Sequence, residues 1–435
     1  MEKKILLYAI SIMLISFVFA TYLQNPTGNV VQKDDQLQLH CTLCCNLKDR
    51  SIPGTQLPSY SIQSVDTHVN IVAYLASNSG IWIYDLGPNL RLDLDANGNP
   101  SGDDRGPMQI FSVSSQTNVA YISAPSVYGT KIAYSYTIGV PVIGTDGTIF
   151  IEVYDIGQDK IAGTSDDTKT SIYTTKLPCS PFGTPCDPSS SIFWPYVDPK
   201  IRGDILSWYE HIDDVTPPYP IISTAYWCDI VNSNNPSYCG FGVSKIFANR
   251  ATAMSDLFVS RANQQNSIDA AWIEFPPYSP AKMHIFTNGI ESIPYQQNQN
   301  QQRDIFDFLS HTLAFYTFEE MDRVGYLQRY AAAINNPNGR LSLTQQLDNP
   351  KMSQTLFTNS KSARDPGLLI GSDPQQGYNL RVARMTPSIS SIIISDTTTR
   401  QSYREGGYAV YGNNILFIEE SAQGSALKYT QCYGD

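Results

Sequence analysis

The sequence predicts an all-β fold, a seven-bladed β-propeller with six blades as the alternative, carried behind a hydrophobic N-terminal segment. Three observations predict it. Short runs rich in Ile, Val, Tyr, Phe and Trp alternate with Gly, Pro, Asn, Asp and Ser turns along almost the whole chain, which is the texture of strands and turns. A unit made of a turn and an apolar or aromatic run recurs down the chain. Several copies are followed by a second strand, and in two of them it is nearly the same segment.

The first element is the N-terminal segment, residues 1–23. Lys3 and Lys4 precede an uncharged, almost wholly apolar run from Ile5 to Ala20. A basic start before an apolar stretch is the pattern read by export machinery. Val18 and Ala20 are small enough to precede a signal-peptidase cut. Counted to Leu23, the run is about 19 residues, just enough to span a bilayer. The segment is therefore a signal peptide or an uncleaved anchor helix. Residues 24–50 are a polar tether with a Cys cluster, and 51–435 form the propeller domain. The expected location is extracytoplasmic, secreted or membrane-anchored.

The repeating unit opens at His68–Tyr74, Val127–Tyr134, Ile201–Trp208, Ser267–Trp272, Ser310–Phe315, Asp365–Ile370 and Val410–Phe417. The openings lie roughly 43 to 74 residues apart, too little chain for a sheet to bury both of its own faces, so neighbours must stack. Paired second strands follow at Ile81–Gly87, Ile151–Gly157, Tyr378–Met385 and Ser425–Cys432. Seven blades result, or six if the weaker fifth and sixth openings are not counted. A tandem of β-sandwiches is the rival architecture. The apolar strand of each unit is expected innermost, and Glu319–Ile334, which lacks a clean apolar stripe, is expected to be strand plus loop. The stretch Gln56–Ser64 is expected to complete the last unit and close the ring.

Eight cysteines in an exported chain permit disulfides. Cys179 with Cys186, and Cys228 with Cys239, each bracket a short loop. Cys432 is free to bond one of Cys41, Cys44 and Cys45, tying the termini together. The rival reading of His40, Cys41, Cys44 and Cys45 as a metal cluster suffers from adjacent cysteines, which chelate poorly.

Two loops carry possible metal chemistry. In Asp93–Asp104, Asp93, Asp95, Asn97, Gly98 and Asp104 take the first, third, fifth, sixth and twelfth places of a calcium loop. Pro100 and the short closing Asp104 depart from that pattern, and no flanking helices are evident. The second loop, with Asp155, Asp159, Asp166 and Asp167, is less regular but repeats the terminal Asp pair. Calcium is the expected cofactor, as a stiffener of loops. Glu210, His211 and Asp213 follow a core strand and could line a channel mouth for acid–base work. Glu319–Glu320 and Glu419–Glu420 suggest an acidic rim. Pro-aromatic loops around Tyr219 and Tyr278, with Tyr60, Tyr196 and Tyr295, suit recognition of protein or glycan.

Pro199–Trp208 and Pro125–Tyr134 resemble the blade openings of TolB-like β-propeller repeats, which occur in archaeal and bacterial surface proteins. Tyr154–Asp167 is similar to a Tyr-Asp-Leu-Gly hairpin of the archaeal versions. The resemblance covers two or three blades. It implies fold and an extracytoplasmic setting and no particular activity.

The net charge of −11 disfavours a nucleic-acid partner, since no basic stripe is present. The expected function is a cell-surface binding or scaffold module for protein or glycan, held to the membrane by its N-terminal segment. Alternatives are an exported polysaccharide- or peptide-cleaving enzyme and a structural surface-layer component. No Gly-x-Ser-x-Gly, His-Glu-x-x-His or phosphate-loop motif is present.

Overall fold

A computed structural model describes residues 44–45, 51–58, 61–177 apart from 78, 117 and 140–146, then 197–213, 221–230, 239, 243–261 apart from 251, and the strands between 268 and 433; over 301–401 it describes backbone alone. Among the described residues there is no α-helix, and the strands form seven antiparallel sheets.

A two-residue strand, β1 (Cys44–Cys45), comes first in the chain and belongs to the last sheet. The first sheet is β2 (Ile62–His68), β3 (Ile71–Ala76), β4 (Gly80–Asp85) and β5 (Arg105–Ser112). In the second, β6 (Val119–Ile122) and β7 (Ser126–Tyr128) share one edge of β8 (Lys131–Ile138), followed by β9 (Gly147–Asp155) and β10 (Thr168–Leu177). The third is β11 (Lys200–Arg202), β12 (Ile205–Asp213), β13 (Ile221–Asp229) and β14 (Ser244–Arg250). The fourth is β15 (Ala253–Arg261), β16 (Ile268–Phe275), β17 (Lys282–Thr287) and β18 (Ile290–Gln296). The fifth is β19 (Gln301–Leu309), β20 (Leu313–Met321), β21 (Leu327–Asn335) and β22 (Ser342–Gln346). The sixth is β23 (Thr358–Ser362), β24 (Leu368–Asp373), β25 (Asn379–Arg384) and β26 (Ser390–Ile393). In the seventh, β27 (Arg400–Gln401) and β28 (Tyr408–Tyr411) share an edge of β29 (Asn414–Ser421), followed by β30 (Gly424–Tyr433) and β1.

Every copy of the sequence repeat falls in a different sheet, and its apolar run is the second strand: β3, β8, β12, β16, β20, β24 and β29. The expectation that this strand is innermost is corrected. A shorter strand precedes it, and contacts between sheets run through that one: β2 meets β7, β7 meets β11, and so on through β15, β19 and β23 to β28, which returns to β2. The physical reason lies in burial. Strand β3 is buried at all six positions, as a strand covered on both faces must be. Strand β2 mixes Gln63, Asp66 and His68 into its apolar residues, and two of these polar groups, Asp66 and His68, reach the next sheet. Asp66 accepts the Val127 N–H at 2.8 Å and His68 Nδ1 accepts that of Gly129 at 2.8 Å. The segment Glu319–Ile334 is split between β20 and β21, in keeping with its missing apolar stripe.

The core lies between sheets. Ile62, Val72 and Tyr74 of the first sheet pack with Leu416, Ile418 and Leu427 of the seventh. Ile71, Ala73 and Ile83 pack instead on Ile132 and Tyr134 of the second. One strand thus feeds two cores through its two faces. Each buried Ile or Leu contributes about 1.5–3 kcal/mol.

The seam closes on the seventh sheet. Cys44 pairs with Tyr433 and Cys45 with Cys432. Bridges at Ser51–Lys428 and Leu57–Ser425 extend the pairing along β30, and a Cys45–Cys432 disulfide fixes it. The described closing segments are therefore residues 44–45 and 51–57; of the expected Gln56–Ser64, Leu57 takes part, while Ile62 onward belongs to β2. Cys228 and Cys239 form the second described disulfide. Cys41, Cys179 and Cys186 lie outside the described residues, and only the backbone of Cys44 is described. The N-terminal apolar segment also lies outside them, and no described helix is long and apolar enough to cross a membrane.

Candidate functional site

The two acidic loops are one structural unit used twice. Each follows the third strand of its sheet, β4 or β9. Asp85 Oδ1 accepts the Gly87 N–H at 2.8 Å, as Asp155 Oδ1 accepts that of Gly157 at 3.1 Å. Gly87 (φ 66) and Gly157 (φ 80) are left-handed, and a Cβ on either would run into the carboxylate of Asp103 or Asp166. Glycine is required there on both counts. Leu90 (φ 56) and Lys160 (φ 58) match next. Asp104 Oδ2 accepts the Asp93 N–H at 2.9 Å, as Asp167 Oδ2 accepts that of Gly163 at 2.8 Å. Tyr84 and Tyr154 donate to Asp104 and Asp167 respectively.

The first loop differs by a short hairpin that follows Asp93, bridged by Leu94 and Pro100. Asp95 Oδ1 accepts the N–H groups of Asn97 and Asn99 at 2.8 and 2.9 Å. Asp95 thus caps the hairpin turn, and these bonds hold its carboxyl below the usual carboxylate range. The carboxylates that approach one another are Asp93, Asp103 and Asp104, all within 4.8 Å. Asn89 Nδ2 spans two of them, at 2.6 Å from Asp93 and 2.8 Å from Asp103. Burial, with the charges of Asp93 and Asp103 adding to it, pushes the Asp104 carboxyl up to about 6. In the second loop Asp166 serves the N–H groups of Gln158 and Asp159 and the Thr164 hydroxyl. Asp159 accepts the Ile161 N–H, and Asp155 faces Lys131 at 3.4 Å.

Both loops reach backwards to the preceding sheet. The Leu90 carbonyl accepts from Asn414, Tyr429 and Gln431 of the seventh sheet at 3.0, 3.0 and 3.3 Å. Leu86 and Leu92 are buried in the same inter-sheet core. The Lys160 carbonyl accepts from Asn70 at 3.4 Å, and Ala162 donates to Asp85 at 3.2 Å.

The other sequence-read trio does not converge. Tyr226 donates to Glu210 at 3.1 Å on one face of β12. His211 Nε2 accepts the Met254 N–H at 3.2 Å from the fourth sheet. Adjacent strand residues point to opposite faces. Only the backbone of Asp213 is described. Burial raises the Glu210 carboxyl, opposed by bonds from Tyr173 and Tyr226.

Sequence reasoning left Asn89 and Asp103 out of the cluster; matching Tyr84–Gly87 to Tyr154–Gly157 and aligning onward would have drawn both in. It also missed a charged network between the third and fourth sheets, centred on the buried His284. His284 lies between Glu274 at 2.6 Å and Glu291 at 2.5 Å, stacked on Trp272. Arg250 pairs with both glutamates. The aromatic loops around Tyr60, Tyr196, Tyr219 and Tyr278 lie outside the described residues.

No family model and no curated protein matches the chain. Solved structures with a similar course include an oligogalacturonate lyase from Vibrio parahaemolyticus, with 9% identity, TM-score 0.49, and 93% of this chain and 98% of that one covered. A sialidase from Trypanosoma rangeli matches at 10% identity and TM-score 0.36 over 90% of this chain and 60% of that one. A soluble aldose sugar dehydrogenase from Escherichia coli matches at 7% identity and TM-score 0.34 over 91% and 100%.

Proposed function

We propose that the chain is an exported, membrane-tethered or secreted cell-surface protein whose seven sheets form a seven-bladed β-propeller, acting as a binding or scaffold module for a protein or glycan partner. The observation that carries this reading is the seam. Residues 44–45 pair with β30, Ser51 and Leu57 bridge to it, and Cys45–Cys432 cross-links the seam. A disulfide at the closing strand suits an oxidising compartment. The tether then leaves from the edge of one sheet, so the ends of the ring stay open to a partner. The TolB-like resemblance supports the same setting.

Three measurements and a turnover assay test this. Membrane-impermeant biotinylation should label the chain on intact cells; labelling only after lysis would sink the location. The mass of the mature protein decides between cleavage after Ala20 and a retained anchor. Cross-linking at the cell surface with the full chain should then capture a stable protein or polysaccharide partner. Turnover of a polysaccharide or peptide by the purified chain would replace the scaffold reading with the enzyme one.

A further inference from the structure

We propose that the first acidic loop binds calcium through Asp93, Asp103 and Asp104, and that the ion fastens the strap between the first and seventh sheets. The carboxylates come within 4.8 Å of one another, a spacing at which like charges need a counter-charge. The observation that points to an ion is Asp104. This residue is 8% exposed, and its Oδ1 has no hydrogen-bond partner. Its Oδ2 is already taken by the Asp93 N–H and the Tyr84 hydroxyl. A buried anionic oxygen with no donor is costly, and a cation beside it removes the cost.

The second loop is the internal control. Its backbone course is the same, but Gly163 stands where Asp93 stands, and the Thr164 hydroxyl answers Asp167 Oδ1 at 3.3 Å. The orphaned oxygen thus occurs where a third carboxylate has been added. The donor set is all hard oxygen, with no His or Cys, which selects calcium over zinc. The ligand set also differs from the calcium-loop spacing in the sequence: Asp95 is committed to the hairpin turn. Because Leu90, bonded to the seventh sheet, lies between Asn89 and Asp93, an ion holding Asp93 to Asp103 and Asp104 fixes the strap from below.

Terbium luminescence on the full chain tests the proposal, with Tyr84 as the sensitiser at Asp104. Sensitised emission that calcium displaces is expected, with a calcium Kd of about 10⁻⁴–10⁻³ M, as in extracellular modules. Asp93→Gly, which copies the second loop, should weaken calcium at least tenfold while keeping the far-UV spectrum. Asp103→Asn carries the same expectation if that variant does not fold. Asp95→Asn and Asp166→Asn should leave binding unchanged. EDTA should lower the melting midpoint of the wild type and not of Asp93→Gly. Absent emission, wild-type binding by Asp93→Gly and Asp103→Asn, or loss of binding in Asp95→Asn would each overturn the assignment.

Discussion

Val69 has a φ of 55°, a left-handed conformation in which a β-branched side chain crowds its own backbone. Gly129 (φ 60), Gly203 (φ 59) and Gly412 (φ 55) hold the corresponding turn before the second strand of their sheets. Replacing Val69 by Gly relieves about 1–2 kcal/mol of strain and loses about 0.5–1 to added freedom in the unfolded chain. Val69→Gly is thus expected to be about 0.5–1 kcal/mol more stable in urea; an unchanged or lower midpoint would show that the Val69 side chain makes a larger contribution than its turn. Glu210 makes a pH prediction. Burial raises its carboxyl above the ordinary 4.5, so the folded state holds a proton that the unfolded state has released. Its contribution is present below 4.5 and is lost as pH rises from 4.5 through the raised value. Glu210→Gln should therefore flatten the fall in stability over that window. An identical pH profile in the variant would remove the buried-acid account.

At the scale of elements, the two described disulfides differ in reach. Cys45–Cys432 spans 387 residues and Cys228–Cys239 spans 11. Restricting the unfolded chain gives about 6 kcal/mol for the first and about 3 for the second. The Cys45→Ser, Cys432→Ser double variant should accordingly lose more stability in denaturant than the Cys228→Ser, Cys239→Ser variant, and the reverse order would show that native strain dominates. Much of this level was legible. The apolar second strands announce themselves because burial on both faces leaves no polar positions, as in β3. The preceding strands were hidden because their polar residues, such as Asp66 and His68, break the apolar pattern; in the fold these two bond the next sheet's backbone. The acidic loops were found, and spacing along the chain groups Asp93 with Asp95 and Asn97, while the fold sets Asp95 to capping its own turn and brings Asp103 and Asp104 to Asp93.

At the scale of the whole molecule, closure depends on strand addition. Repetition along the chain implied stacking; the seven copies fall in seven sheets, and neighbouring sheets meet through the strand that precedes each apolar one. The partner of β30 was misjudged by several residues because the closing segment has little apolar pattern of its own; its pairing is set by backbone bonds such as Ile52 N–H to Leu427 at 2.8 Å and Ser425 N–H to Leu57 at 2.8 Å. Deleting residues 1–57 should bare the edge of β30 and cause association, visible as oligomers in gel filtration. Deleting residues 1–40 should leave a monodisperse protein. Equal behaviour of the two truncations would show that the seam does not guard that edge.

The distance along the chain between the two seam strands also imposes an order of events. With 387 residues between Cys45 and Cys432, synthesis at about 5–20 residues per second makes β1 roughly 20–80 s before its partner exists. Through that interval the earliest strand has to stay uncommitted, and the sheets already formed stand as an unfinished fan with two open sides. The docking of β1 onto β30, and the Cys45–Cys432 bond that seals it, can follow only once both strands have been made.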